Sequence, residues 1–293
     1  MKKIAALLLC IVTLISFTAC SYVNIENSGE TEPSDNNSEI KKPMPKEVGV
    51  LDEKMNIELF CEDNISVYAT AFYKESDGDW VMECDITNDS KDDVFVALEY
   101  PEINGICSPI PLWADAKRKS STTGYLYIYS DFLELAGITT ITEIAARFNV
   151  YNEYYRPLGG EYISFTLGAD DYEQIINTEG TKIIDEENVQ VIIQDKRIGK
   201  EGTEVVVCYI NNNDYTVKFD ITDVMIDSES FPVEAPFELP EYSMTVTTFC
   251  IYDSDMIYAG IDSSSISEMS ITAKAVDVIG DSVAECENAK VVF

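Results

Sequence analysis

The chain contains no histidine. That absence removes Ser-His-Asp and Cys-His nucleophile pairs, HExxH zinc sites and histidine general bases together. A GxSxG elbow is also missing, and Gly199-Lys200 is followed by Glu201 where a phosphate loop needs Ser or Thr. Cations are scarce: 20 Lys and Arg stand against 53 Asp and Glu, a net charge of −33. Phosphate binding needs clustered Lys and Arg, so nucleic acid is excluded as a partner, and adsorption to anionic lipid head groups is disfavoured. The eight cysteines include no CxxC pair, so neither a zinc site nor redox work is indicated. No metal and no cofactor is expected. Glu75, Asp77 and Asp79 crowd one turn, but without the loop spacing of a calcium site they read as solvated acids. With so many carboxylates, some pair at glycosidase spacing always exists, and no particular pair is indicated.

Long apolar runs are absent too. The longest, Ile4 to Phe17, is interrupted only by Thr13 and Ser16. As a helix it reaches about 21 Å at ~1.5 Å per residue, short of the ~30 Å bilayer core. Behind Lys2 and Lys3 it has the form of a secretory h-region. It ends Phe17-Thr18-Ala19-Cys20, which resembles the bacterial lipobox, whose cysteine is diacylated and becomes the new N-terminus. The expectation is a signal peptide over 1–19 and lipidation of Cys20. Residues 20–49, rich in Glu, Ser, Asn and Pro, cannot bury enough apolar surface to offset chain entropy and read as a disordered tether. Two or more acyl chains hold a protein firmly at a membrane where one does not.

Beyond the tether the chain repeats once. Asn64-Ile65-Ser66-Val67 aligns with Asn188-Val189-Gln190-Val191, and Cys84 to Asn88 with Cys208 to Asn212, both at an offset of 124. Further on, Ala136-Gly137-Ile138 aligns with Ala259-Gly260-Ile261 at 123, which implies one deletion in a loop between. A period this long is a duplicated domain rather than a solenoid unit. Ile65, Val67 and Ala69 alternate with polar residues as Val189, Val191 and Ile193 do, the mark of a strand with one buried face. By the same alignment Met82, Cys84 and Ile86 share a face that corresponds to Val206, Cys208 and Ile210. Ile144, Ala146, Phe148 and Val150 correspond to Met269, Ile271, Ala273 and Ala275. Asp77-Gly78-Asp79 and Gly199 to Gly202 read as matching hairpins, and Asp131 to Gly137 as one helical turn. About seven short strands per repeat with no long helices between them predict an all-β chain: two tandem antiparallel β-sandwich domains, over 50–170 and 171–293.

The sequence from Asp77-Gly78-Asp79-Trp80 through Ile86 to Ser90, Asn104-Gly105 and the run Leu133, Ala136, Gly137, Ile138, Ile141, Ile144, Phe148, Val150 resembles the uncharacterised immunoglobulin-like repeats of lipoproteins from anaerobic Gram-positive bacteria. The second repeat keeps Ala-Gly-Ile but has no Asn-Gly pair, and Ala273 stands for Phe148. The resemblance implies a fold and an address on the outer face of the cell membrane, and no activity.

Export permits disulfides. Cys84 and Cys208 nevertheless read as small core hydrophobes; Cys61 with Cys107, and Cys250 with Cys286, are candidate bridges. Aromatic residues supply the candidate ligand site. Tyr125, Tyr127 and Tyr129 fall at period two, opposite Leu126 and Ile128; Tyr151, Tyr154 and Tyr155 follow a strand, and Trp113 lies in a Pro-rich loop. Exposed aromatic rows stack on sugars or anchor proteins, and the alternative is that the row merely packs across strands. The first functional expectation is a non-catalytic cell-surface lipoprotein that binds or scaffolds extracellular protein or cell-wall glycan. A carboxylate-dependent extracellular hydrolase ranks second, and a transporter's solute-binding component third.

Overall fold

The computed structural model describes residues 42–168, 172–233 and 235–293. The signal peptide expected over 1–19, Cys20 and most of the tether expected over 20–49 lie outside the described residues. Those described fall in one compact unit, Ile40–Phe293. The first repeat contains β1 (Lys46–Val50), β2 (Ile57–Glu62), β3 (Ile65–Lys74), β4 (Trp80–Asn88), β5 (Val94–Ile103), β6 (Ile106–Cys107), β7 (Leu112–Ala116), β8 (Ser120–Ile128), α1 (Ser130–Leu135), β9 (Glu143–Asn152) and β10 (Pro157–Thr166). The second contains β11 (Thr181–Asp185), β12 (Val189–Ile198), β13 (Gly202–Asn211), β14 (Val217–Ile226), β15 (Glu229–Pro232), β16 (Phe237–Leu239), β17 (Ser243–Tyr252), α2 (Asp253–Ala259), β18 (Glu268–Asp277) and β19 (Ser282–Val292).

The chain is all-β, of the antiparallel immunoglobulin-like class. Sheet β2-β3-β4-β8 faces sheet β1-β10-β9-β5-β6, with β7 also on β5; sheet β11-β12-β13-β17 faces β15-β14-β18-β19, with β16 also on β14. Each repeat therefore has nine equivalent strands in the same order, two more than the seven expected. The extra strand β1 pairs in parallel with β10, so residues 46–49 belong to the fold and not to the tether expected over 20–49. Each sandwich encloses its own apolar core, the first around Phe148, Phe165 and Leu98, the second around Phe219, Val224 and Ile271. Ile144, Ala146, Phe148 and Val150 are buried, as are Met269, Ile271, Ala273 and Ala275, in agreement with the expected alternation.

The turn chemistry explains the shared motifs. Gly137 and Gly260 adopt left-handed φ of 65° and 75° after the helices. Ile138 N–H then donates to Leu133 O, and Ile261 N–H to Met256 O, each at 2.8 Å. That closes the helix end and turns the chain inward, which is the physical content of Ala-Gly-Ile. Asn104 and Gly105 make the two-residue hairpin of β5–β6 with φ of 50° and 82°; Asp227 and Ser228 make the same hairpin in β14–β15 with 51° and 72°. The second repeat lacks the Asn-Gly pair but not the turn, because Asp tolerates the left-handed region.

One expected equivalence is wrong. Ile65 pairs with Asn88, whereas Val189 pairs with Asn211. The missing residue therefore lies in the β12–β13 hairpin, and β13 is shifted by one against the sequence alignment. Cys84 is matched by Val207, not Cys208. Val205, Val207 and Tyr209 enter the second core, while Val206, Cys208, Ile192 and Val246 form a separate cluster on the sheet's other face, against Leu135 of α1. A one-residue slip exchanges the two faces of a strand. Asn88 and Asn211 become the true equivalents. Both are fully buried, and each donates to the backbone of a neighbouring loop, Asn88 to Asp92 O and Ala116 O, Asn211 to Tyr215 O, Leu239 O and Pro240 O.

The two sandwiches share a contact. Thr245 on β17 donates to Cys107 O at 2.6 Å, Ser243 donates to the buried carboxylate of Glu102 at 3.2 Å, and Arg147 pairs with Glu241. Cys107 is packed with the second core although it belongs to the first repeat.

Candidate functional site

The seven aromatic residues singled out by sequence do not form one site. Tyr125, Tyr127 and Tyr129 lie on the outer face at the end of β8, opposite buried Leu126 and Ile128. Tyr125 and Tyr129 are 42% and 41% exposed. Their centroids follow Tyr127 at 6.2 Å on either side, and Tyr127 and Tyr129 are within 11° of parallel. Trp113, Tyr151, Tyr154 and Tyr155 belong to the other sheet of the same sandwich or to its β9–β10 turn. Trp113 lies 6.2 Å from Tyr151, and Tyr155 stacks on Phe95 at 4.8 Å. Tyr151 donates to Glu99 at 2.9 Å, and Asn149 holds the second oxygen of that carboxylate. Partial burial and this bond together push the Tyr151 phenol well above its ordinary range.

The β8 row is wider than the sequence suggested. Across the sheet, Tyr127 faces Val81 and then Tyr73; Tyr125 faces Glu83; Thr123 faces Asp85 and then Tyr68. Tyr73 and Tyr68 are five residues apart, and strict alternation puts them on opposite faces. The bulge between Ala69 and Ala71 takes up one residue and brings both to the outer face. Alternation of Tyr68 with Val67 and Ala69 was the available signal for the first; nothing in the sequence marked the bulge.

Carboxylates lie among these rings. Tyr73 donates to Glu83 and Tyr68 to Glu58, each at 2.9 Å, and Thr123 donates to Asp85 at 2.8 Å. The bond to Glu83 pushes the Tyr73 phenol up to about 12, because ionisation would oppose two negative oxygens. Glu58 raises Tyr68 for the same reason. The phenols thus stay neutral donors, and the carboxylates keep further lone pairs toward solvent.

The acidic turn is spent on structure. Asp79 accepts Ser130 N–H at 2.8 Å, and Asp77 accepts Asp79 N–H at 3.2 Å. Among the described residues no group of three His, Cys, Asp or Glu side chains is placed to hold a metal ion. The candidate disulfides do not form. Cys61 is exposed on β2 while Cys107 is buried against the other sandwich, and Cys250 and Cys286 are both free thiols. Burial pushes the Cys84 and Cys208 thiols up to about 12, as small hydrophobic fillers require.

The described residues also line two clefts. One, of about 390 Å³, lies at the α1 end of the first sandwich beside Lys74, Trp80, Ser130 and Glu134. The other, of about 110 Å³, lies between the sandwiches, where Glu102 and Glu241 are neutralised by Lys42 and Arg147. Among the described residues no helix is long and apolar enough to cross a membrane.

No protein-family model and no curated protein matches the chain. Among solved structures it is similar to the Salmonella enterica SafA pilin in complex with the SafB chaperone, at 8% identity over 78% of this chain and 96% of that one, with a TM-score of 0.21. It is also similar to a protein of unknown function from Porphyromonas gingivalis W83, at 8% identity over 78% of this chain and 100% of that one, with a TM-score of 0.20.

Proposed function

We propose that this chain is a non-catalytic binding module held at the outer face of the cell membrane by acylated Cys20, and that it engages extracellular protein or glycan through the outer face of β2-β3-β4-β8. The observation that carries the reading is the row of exposed Tyr125, half-buried Tyr127 and exposed Tyr129 along the end of β8, whose opposite face is core. Aromatic rings fixed this way present contact area at little entropic cost. The chemistry of the clefts points the same way. The carboxylates of the interface cleft are matched by cations, and only Glu134 brings a carboxylate to the larger one.

The test uses the full chain, solubilised in detergent, as bait against cell-wall polysaccharide, peptidoglycan and secreted protein. Retention of a fraction by the natural chain, lost in Tyr125→Ala/Tyr127→Ala, is the expected result. No retention of any fraction overturns the reading. Labelled fatty acid should enter the natural chain and not Cys20→Ser; incorporation into both rules out the anchor.

A further inference from the structure

We propose that the tyrosine face takes an extended basic segment of a partner protein, with Lys or Arg at alternate positions. This deepens the binding reading and rests on it. The first ground is charge. Glu58, Glu83 and Asp85 share this face, and among the described residues every ion pair lies elsewhere. Each of the three accepts a hydrogen bond from a neutral hydroxyl, which leaves its negative charge uncompensated. Those acids belong to this face alone. The positions of Glu83 and Asp85 are taken in the second repeat by Val206 and Cys208, which face Leu135 instead of solvent.

The second ground is the rings themselves. A cation over a tyrosine face is attracted by the ring quadrupole, and nearby carboxylates add to that attraction. The third is spacing. Alternate side chains of an extended chain repeat every ~6.6–6.8 Å, and the tyrosine centroids repeat every 6.2 Å. An extended segment lying along β8 brings one cation to each ring. The chain's net charge of −33 steers a basic partner inward and repels anionic polymers and further molecules of this same chain.

Two synthetic peptides of equal length and charge decide the matter by titration against the full chain: one with Lys alternating with Thr, the other with the same lysines in one block. The alternating peptide should bind roughly tenfold more tightly, and added salt should weaken it. Tyr125→Leu/Tyr127→Leu should lower its affinity by roughly tenfold through loss of two ring contacts. Asp85→Lys, which keeps the rings, should abolish binding. Equal binding by a lysine-acetylated peptide, equal binding by the block peptide, or no change in the tyrosine variant overturns the proposal. If a neutral glycan is retained through Tyr125 and Tyr127 while both peptides fail, the basic partner falls and the binding reading stands. If glycan, protein fractions and peptides all fail, both fall.

Discussion

The two repeats build the same four-stranded sheet and put its outer face to opposite uses. On β2-β3-β4-β8 that face carries tyrosines, Glu83, Asp85 and hydrogen-bonded threonines. On β11-β12-β13-β17 it carries Ile192, Val206, Cys208 and Val246, packed against Leu135. The inner faces of both sheets are apolar and buried, because each must close its own core. The outer face has no such obligation, and it diverged with its neighbour: where α1 of the first repeat covers it, the face is aliphatic, and where solvent meets it, the face is polar and aromatic. A duplicated fold thus separates positions that hold the sandwich together from positions free to acquire a partner.

Placing a charge on the covered face breaks this comparison most severely. Cys208→Asp puts an unpaired carboxylate beside Leu135 and Val246, and should cost about 3 kcal/mol or more in urea unfolding. Its counterpart Asp85→Val, on the open face, should stay within about 0.5 kcal/mol. Equal costs would mean that the two faces are equally exposed in solution.

The buried asparagines come next, as a test of sameness. Asn88→Ala and Asn211→Ala should each cost about 2–3 kcal/mol, because loop carbonyls are left without donors in the interior. A large cost in one and none in the other would refute their equivalence and restore the alignment that pairs Asn88 with Asn212.

Thr245→Val removes the 2.6 Å bond to Cys107 O between the sandwiches. It should cost about 1 kcal/mol and raise protease sensitivity between residues 168 and 180; unchanged proteolysis would show that the apolar contacts alone hold the pair.

The smallest effect concerns alkaline pH. Because the folded Tyr73 phenol is raised to about 12, above an unfolded value of ~10, its neutral form favours the folded state. That contribution is complete below about pH 10 and is lost as pH rises through about 12. Glu83→Gln should bring the Tyr73 titration, followed by NMR, down toward the ordinary value. Arg197 takes the place of Tyr73 in the second repeat, so no matching step should arise there. A Tyr73 titration unmoved in Glu83→Gln would detach the phenol from that carboxylate.

Much of this was legible beforehand because strands advertise their faces. Period-two alternation placed Tyr125, Tyr127 and Tyr129 on the outer side of β8 and Ile144 to Val150 in the core, and the Ala-Gly-Ile element marked the helix ends. The wider site was not legible. Tyr73 reaches the face only through the bulge at β3, and Glu83 joins it through register with β8; both depend on hydrogen-bond ladders between distant segments. How the seven aromatics divide between two sheets was not legible either, since β7 and β9 lie in the opposite sheet from β8 only through their pairing with β5.

The sequence by itself determined the all-β class, the duplication, and the parity of regularly alternating runs such as Tyr125 to Tyr129 and Ile144 to Val150, because a half-buried strand without a bulge must alternate. Only the tertiary structure decided the orientation of β13. Its run Val205-Val206-Val207-Cys208-Tyr209-Ile210 is apolar on both faces, so parity gives no preference, and pairing with β12 and β17 together with the cover of α1 selects which side meets the core. The same holds for Cys107, whose place against the second sandwich follows from packing between repeats rather than from any pattern along the chain.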